Sequence, residues 1–331
     1  MKKTTQKEIA DRLGIHVKTV SRVLNQADAV KPETRQRVVQ ELNRFGYFFQ
    51  SRFIAETVVV DVQIGYRERK ALQLIEMLSQ LGLRFVMTNH RQDLQHFYRT
   101  VSTADMVVFC STPEADVIEE TLRRSPGIYR INLLSHGIPG AEVSIEPAND
   151  VIAKRSAKYL AEKGHRNIWI ISSFDGAFAL ERTKSFIGEM AVSYPDSSCR
   201  IVYGELNPDL HDTLVRELAD KSKAPTALYC PGLFIGWHTA KVLQELQYKV
   251  PDDISILIND LPEEFDYYKL PFRPDMVYSR TADTIELARF HILNRLMFKS
   301  TNSIVTSPGI VIETNGTVKD LLNTADTQRE E

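Results

Sequence analysis

The chain has 331 residues, of which 43% are hydrophobic and 25% charged, with a formal net charge of −2. This composition is ordinary for a globular protein, and the length suits a small head domain followed by a larger core. Three scattered cysteines without a CxxC pair argue against a disulfide framework and a structural zinc site. Two lysines near the start are followed by polar residues, so we expect no signal peptide and a cytoplasmic location. No apolar stretch in the sequence is long enough for a membrane-spanning helix.

The charge is distributed unevenly along the chain. Residues 1–55 contain eleven Lys and Arg against five Asp and Glu, a net charge of +6, so the other 276 residues carry −8 of the total of −2. A basic head attached to an acidic body favours binding of the head to a phosphate backbone. A solvated pair of charged helices would show the same bias, so charge alone does not decide between the two.

Residues 1–48 are predicted to form a helix-turn-helix domain of three short helices. Thr5 fits the first position of a capping box, and Gly14 ends the first helix with a tight turn. A second helix is expected from Val17 to Leu24, and Pro32 suits the first position of a third. The apolar positions expected inside this domain are Ile9, Ala10, Leu13, Val20, Val23, Leu24, Val38, Leu42 and Phe45.

From residue 57 onward, β-branched runs alternate with amphipathic helical stretches, which predicts parallel sheets covered by helices. The predicted strands are Thr57–Ile64, Leu83–Thr88, Met106–Cys110, Ile128–Leu134, Asn167–Ser172, Cys199–Tyr203, Thr226–Tyr229 and Ile254–Ile258. The clearest predicted helices are Arg67–Leu81, Val151–Lys163 and Leu233–Leu246. These strands are too many for one compact sheet, so we expect an α/β core of two lobes. A ligand would bind beyond the carboxyl ends of the strands.

Residues 2–47, and above all the run TVSRVLN at 19–25, resemble the LacI/GalR family of bacterial regulators. The runs YLAEKGHRNI at 159–168 and VPDDISI at 250–256 resemble segments of the family's core. The resemblance implies a helix-turn-helix domain (1–48), a hinge or linker (49–57) and a two-lobed, periplasmic-binding-protein-like core of parallel sheets (58–320), followed by a tail (321–331). It further implies a homodimeric DNA-binding transcription regulator, a repressor controlled by a small-molecule effector bound between the lobes.

The helix-turn-helix geometry places the second helix in the major groove of double-stranded DNA. Lys18 and Arg22 can then donate to guanine, and Val17 can contact a thymine methyl group. Small polar side chains of the head are suited to phosphate oxygens. The predicted DNA-binding residues are Thr5, His16, Val17, Lys18, Ser21, Arg22, Asn25 and Thr34.

In the family, the head is followed by a hinge helix that drives a leucine into the minor groove. Residues 48–56 contain neither the proline and asparagine that precede that helix nor the leucine itself. We therefore predict that the hinge helix is absent. Phe53 or Ile54 serves either as an apolar wedge between bases or as packing between head and core.

The effector pocket of the family is matched unevenly. Arg182 and Asp260 fall where the family has effector-binding residues, and Tyr66 follows the first strand, where a helix N-terminus suits an anion. Pro231 replaces a pocket aspartate, and Ile258 replaces a glycine. Loss of a carboxylate favours a sugar phosphate or organic acid over a neutral sugar. A strand-end aspartate such as Asp260 is equally suited to cap a helix.

Two further residues of the core have an expected structural role. Gly164 suits the cap of the helix that precedes it, and His165 and Arg166 are expected to bond the carbonyl groups at the end of that helix.

Three alternative functions are considered. A doubly wound α/β enzyme lacks support, because the sequence contains no GxGxxG, P-loop, GxSxG or HExxH motif and no metal-ligand spacing. A transporter's solute-binding protein would need export. A regulator with the same fold and a vestigial pocket, independent of any effector, stays open. We expect no catalytic residues, metal site or cofactor.

Overall fold

The computed structural model describes residues 5–25, 30–44, 56–62, 68–111, 113–133, 140–173, 177–204, 209–260, 271–298 and 304–322. The chain divides into two compact units. Unit 1 comprises Met1–Glu146 and Thr281–Pro308, and unit 2 comprises Pro147–Arg280 and Gly309–Glu331. Each unit therefore combines two separate segments of the chain, and neither unit is one continuous segment.

The head is a three-helix domain, as predicted, with helices α1 (Gln6–Leu13), α2 (Val17–Asn25) and α3 (Pro32–Arg44). The Thr5 hydroxyl accepts from the Glu8 amide at 3.2 Å, and the Glu8 carboxylate accepts from the Thr5 amide at 2.7 Å, which confirms the capping box. Gly14 ends α1 with φ of 63°, the left-handed conformation that glycine adopts without strain. The buried residues of the head are Ile9, Ala10, Val20, Val23, Val38, Val39 and Leu42. Phe45 lies outside the described residues.

Two further groups of elements follow in chain order. The first group contains β1 (Thr57–Asp61), α4 (Glu68–Gln80), β2 (Arg84–Thr88), α5 (Leu94–Val101), β3 (Met106–Phe109), α6 (Ala115–Arg124), β4 (Tyr129–Leu133) and β5 (Val143–Ile145). The second contains α7 (Asn149–Glu162), β6 (Asn167–Ser172), α8 (Ala177–Ser193), β7 (Ser198–Tyr203), α9 (Asp209–Leu218), a 3-10 turn (Lys221–Lys223), β8 (Ala227–Cys230), α10 (Leu233–Glu245), β9 (Ser255–Asn259) and β10 (Asp275–Ser279). The last elements are α11 (Thr281–Phe298), β11 (Ile304–Thr306) and β12 (Ile310–Glu313).

Each unit is built on one six-stranded sheet. The strand order is β11-β5-β4-β3-β1-β2 in unit 1 and β12-β10-β9-β8-β6-β7 in unit 2. All pairings are parallel except that of β10 with β12. The parallel strands of each sheet therefore end at one common edge, which is where such sheets bind ligands. Within the described ranges, no helix is both long and apolar enough to cross a membrane.

The predicted strands and helices are confirmed with shifts of a few residues at their ends. The strand predicted at Thr57–Ile64 ends at Asp61, and residues 63–67 lie outside the described part of the chain. Four observed strands have no predicted counterpart: β5, β10, β11 and β12. β5 and β11 have only three residues each, and β11 and β12 are partly exposed. These three strands therefore lack the long buried β-branched run from which strands were predicted.

The residues around Gly164 bond the end of α7, as expected from the sequence. Gly164 follows α7 with φ of 87° and Arg166 Nη1 donates to the Ala161 carbonyl at 2.8 Å, as expected for the end of the helix. The His165 backbone amide likewise donates to the Leu160 carbonyl in the last turn of α7 at 3.1 Å, whereas its ring contacts the Thr226 hydroxyl and the Lys319 carbonyl, both at 3.0 Å. The expected bond of His165 is therefore made by its backbone, and burial of the ring lowers the pKa of His165 to about 4.

Candidate nucleic-acid interface and ligand site

Helix α2 carries a row of solvent-facing residues on the side opposite its buried face. His16, just before α2, and Lys18 and Arg22 within it are exposed, while Val20 and Val23 are fully buried. Val17, an apolar residue, is 38% exposed at the start of the helix. An exposed face that combines two cations, an imidazole and an apolar tip matches what major-groove readout requires.

Contacts at both ends of the turn between α1 and α2 hold this face in place. The Lys18 amide donates to His16 Nδ1 at 3.1 Å, so the imidazole satisfies an amide in the first turn of α2. Arg37 Nη2 of α3 donates to the Leu13 carbonyl at the end of α1, at 3.2 Å. The fixed turn presents α2 as a rigid surface.

The other predicted DNA contacts are placed less uniformly. Thr5 is exposed and caps α1, while Ser21 and Thr34 are half-buried in α2 and α3. Asn25 is the last residue of α2, but its side chain lies outside what the structure describes, as do residues 48–55 and the effector candidate Tyr66. Whether residues 48–56 form a hinge helix therefore stays a prediction.

In unit 2, Arg182 is the centre of a buried polar cluster at the carboxyl edge of the sheet. Its side chain is 4% exposed, and its Nε donates to Asn149 Oδ1 at 2.9 Å. Its Nη1 donates to the Pro231 carbonyl at 2.8 Å and to Asp260 Oδ1 at 3.2 Å. We call Arg182, Asn149, Pro231 and Asp260 the Arg182 cluster. The fold brings together two of the three predicted effector residues, because Arg182 on α8 reaches Pro231 and Asp260, which follow the neighbouring strands β8 and β9.

Asp260 has two partners within this cluster. Its Oδ1 accepts from Arg182, and its Oδ2 accepts from the amide of Leu233, the first residue of α10, at 3.1 Å. Asp260 therefore caps a helix and also pairs with the guanidinium. Arg182 makes its three bonds to described residues through Nε and Nη1, so among these residues Nη2 is the nitrogen left for a ligand.

Comparisons with known proteins agree with this architecture. A family profile described as bacterial regulatory proteins, lacI family, matches residues 5–48. The HTH-type transcriptional regulator CelR of Thermobifida fusca is 24% identical over 77% of this chain and 82% of its own length. The match to the lacI family thus lies in the head, residues 5–48. The HTH-type transcriptional repressor PurR of Salmonella paratyphi B is also 24% identical to this chain, over 80% of the chain and 82% of PurR.

Solved structures show the same fold. A complex of CelR with cellobiose superimposes with a TM-score of 0.63 at 19% identity, covering 95% of this chain and all of that one. The lac repressor dimer bound to operator gives a TM-score of 0.64 at 14% identity, with 96% and 100% covered. A lacI-family regulator of Enterococcus faecium with bound ribose gives 0.66 at 14%, with 80% and 100% covered. The named relatives are transcription regulators, which agrees with the predicted DNA-binding regulator.

The sequence analysis missed a second buried polar group, at the carboxyl edge of the sheet in unit 1. Asp61 at the end of β1 is fully buried, and its Oδ2 lies 2.6 Å from Nδ1 of the buried His90. The other ring nitrogen, Nε2, lies 3.1 Å from Glu114 Oε2. We call Asp61, His90 and Glu114 the His90 network. A carboxylate inside the run TVVVD, otherwise a buried strand, was the available signal, since a buried charge requires a partner.

The two carboxylates determine the charge of His90. Burial is the largest single effect and disfavours the imidazolium, but the hydrogen bonds and charges of Asp61 and Glu114 together raise the pKa of His90 above its ordinary value. The pKa of Glu114 is lowered, first by a backbone hydrogen bond and also by Arg91 and His90. Two carboxylates facing two ring nitrogens suit an imidazole that donates from both.

Proposed function

We propose that this chain is a homodimeric repressor that binds a two-fold-symmetric operator in double-stranded DNA and is controlled by a small-molecule effector. The observation that carries the proposal is the exposed row of His16, Val17, Lys18 and Arg22 on a helix held rigidly in a basic head. One head reads too few base pairs for useful specificity, and two copies on a palindrome remove that limit. Such a protein would act in the cytoplasm, on the nucleoid.

Several polar residues of the head would contact DNA phosphates beside this surface. Thr5, Ser21, Asn25 and Thr34 belong to the same small domain and are suited to set register on the backbone rather than to read sequence. Because relatives bearing the names PurR and lac repressor are repressors, we assign the same sign of regulation here.

We propose a hydroxyl-rich, sugar-like effector at the Arg182 cluster. The sequence favours an anion, because Pro231 replaces an acidic residue. However, the ion pair between Arg182 and Asp260 already compensates the guanidinium charge, which weakens that argument. The Arg182 guanidinium is a donor and the Asp260 carboxylate beside it is an acceptor. This pair is complementary to neighbouring hydroxyl groups of a ligand, each of which both donates and accepts. Related structures contain cellobiose and ribose. Tyr66 stays a predicted contact for this ligand.

DNA binding is tested by selecting duplexes from a random library with the full-length protein, and by measuring the affinity of the selected duplex against a scrambled one. We expect enrichment of a palindrome and an affinity difference of about 1000-fold or more. Absence of any enriched sequence would contradict the proposal.

The effector is tested by thermal shift with cellobiose, ribose, ribose 5-phosphate and citrate, and by measuring how each compound changes the affinity for the selected duplex. We expect neutral sugars to raise the melting temperature and to change DNA affinity, since a ligand that controls binding must favour one conformation over another. Stabilisation by the two anions alone would contradict the sugar-like assignment. The buried Arg182 is already bonded to three protein groups, which also suits an effector-independent regulator; that alternative predicts no shift with any compound.

A further inference from the structure

Helix α11 has two apolar faces that pack against different parts of unit 1. Ile285, Ala288 and Ile292 are buried in the core that covers one side of the unit 1 sheet. Phe290 and Met297 are partly buried against the core of the head instead. These two residues are separated by about two helical turns and therefore lie on one side of α11. A helix that is apolar on more than one side is a helix buried between two partners.

The contact joins the DNA-binding head to the body of unit 1. Phe290 and Met297 pack against the cluster formed by the buried residues of α1, α2 and α3, among them Val38, Val39 and Leu42 of α3. Among the described residues, the head has seven buried apolar side chains of its own, so two large side chains from outside are a substantial addition to its packed area. The head is therefore held by tertiary packing as well as by the chain that follows it.

The packed head keeps its reading face open. His16, Val17, Lys18 and Arg22 are exposed while Phe290 and Met297 contact the opposite, apolar side of the domain. Contact with α11 is therefore compatible with DNA binding, and it fixes the direction in which the face of α2 points relative to unit 1.

We propose that Phe290 and Met297 are positioning residues that fix the orientation of the DNA-binding head on unit 1 and thereby determine the spacing of the two operator half-sites. This inference rests on the proposed homodimer, in which two heads must meet two half-sites at once. It also explains how orientation is maintained where residues 48–56 lack the sequence of a hinge helix. Only Arg280 separates α11 from β10 of unit 2, the unit that contains the Arg182 cluster.

The test uses full-length wild type, the double variant Phe290→Ser with Met297→Ser, and the control Leu287→Ala, which shortens an α11 side chain that packs on the unit 1 core instead of the head. Each protein is titrated with the selected palindrome, with duplexes in which the half-site spacing is changed by one to five base pairs, and with a single half-site. Each base pair rotates one half-site by roughly 35° relative to the other, so a rigidly held pair of heads is sensitive to spacing.

For wild type and Leu287→Ala, we expect the affinity to fall at least tenfold when the spacing is changed. The double variant is expected to keep the single half-site affinity within about twofold, to bind the best palindrome about tenfold more weakly, and to lose most of its dependence on spacing. Flexible tethering lowers the effective concentration of the second head without altering either head's contacts. The conservative variant Phe290→Leu with Met297→Leu is expected to restore the wild-type profile.

Two results would overturn the inference. One is a double variant with the same spacing profile as wild type, and the other is a double variant that loses single half-site affinity, which would show that these residues stabilise the head rather than orient it. Circular dichroism verifies folding, and Met297→Ala alone replaces the double variant if that protein does not fold. Failure of wild type to select any palindrome would instead contradict the proposed function.

Discussion

His90 and Asp61 form a buried pair in which Nδ1 and Oδ2 are 2.6 Å apart, and neither side chain is more than a few per cent exposed. The same carboxylate accepts from the His90 amide at 3.0 Å and from the Thr88 hydroxyl at 3.3 Å. Asp61 thus accepts three bonds, from Thr88 and His90, at the ends of β1 and β2, and His90 compensates its charge when protonated. This arrangement makes the stability of unit 1 depend on pH.

We expect His90→Gln to lower the free energy of unfolding by about 2 kcal/mol at pH 6, because a charge-assisted bond to a buried carboxylate is lost. The pKa of His90 is raised above 6.5 in the folded protein, so this stabilisation is complete below pH 6.5 and is lost as the pH rises through the raised pKa. The difference in the free energy of unfolding between wild type and His90→Gln should therefore become smaller at alkaline pH. Urea unfolding from pH 5.5 to 9 measures it.

The matched control for this experiment is His96→Gln, since His96 is exposed on α5. A constant difference between His90→Gln and wild type across the whole pH range would contradict a titrating pair. Acid unfolding has a separate contribution from His165 and His291, because burial lowers the pKa of each to about 4. Both destabilise the fold as the pH falls below 6.5, and both cancel in the comparison of wild type with His90→Gln.

Arg22→Ala is expected to cost about 1–3 kcal/mol of binding free energy on the selected operator and much less on random-sequence DNA, since a bidentate contact to guanine is lost. Lys7→Ala is the control, because Lys7 is exposed on α1 instead of α2. Fluorescence anisotropy with both duplexes measures the two affinities. An equal loss on both duplexes would make Arg22 a phosphate contact.

Arg182→Ala is expected to abolish the thermal shift produced by the effector and to remove its influence on DNA affinity. Because three internal bonds are lost as well, the variant is expected to unfold at lower temperature even without ligand. Arg200→Ala, which removes an exposed arginine of the same unit, serves as control. An unchanged ligand-induced shift in Arg182→Ala would place the effector elsewhere.

Dimer formation is expected to use the exposed apolar side chains on one edge of unit 1. Leu72 of α4 is 61% exposed and Met87 is 49% exposed on β2, the edge strand of its sheet. An edge strand with exposed apolar side chains favours pairing with a partner surface. We predict that Leu72→Glu with Met87→Glu gives a monomer in sedimentation velocity, whereas Val192→Glu, at a position 83% exposed in unit 2, stays dimeric. A dimeric double variant would move the interface to another surface.

Gly236→Ala is expected to destabilise unit 2 by about 1–3 kcal/mol through overpacking. A Cβ atom at Gly236 in α10 would lie 2.5 Å from the side chain of Ile258 in β9. Gly188→Ala in α8 is the control, because an added methyl group there meets nothing within 4 Å, and it should stabilise by about 0.5–1 kcal/mol. Thermal unfolding of both variants provides the comparison, and equal melting temperatures would show that Ile258 moves aside.

Local signals in the sequence determined the head and most of the sheets. The capping residue Thr5, the glycine turn at Gly14 and the helical spacing of Val20 and Val23 act within one or two turns of the chain. Those signals were enough to predict which residues of α2 are buried and that Arg22 is exposed. Apolar runs likewise predicted eight of the strands. The six inner ones, β1, β3, β4, β6, β8 and β9, are buried at nearly every position, because a strand covered on both faces is apolar throughout.

Only the tertiary structure decided which distant residues meet. Asp61 and His90, Arg182 and Asp260, and Phe290 and the head each lie far apart in the chain, and their contacts depend on strand order, register and helix packing. Periodicity assigns a residue to a face of its own element but does not specify the partner across the gap, because side-chain spacing repeats identically along every strand and helix. The partners of Arg182, which change its expected ligand from an anion to a hydroxyl-rich molecule, became visible only when β8 and β9 were placed side by side.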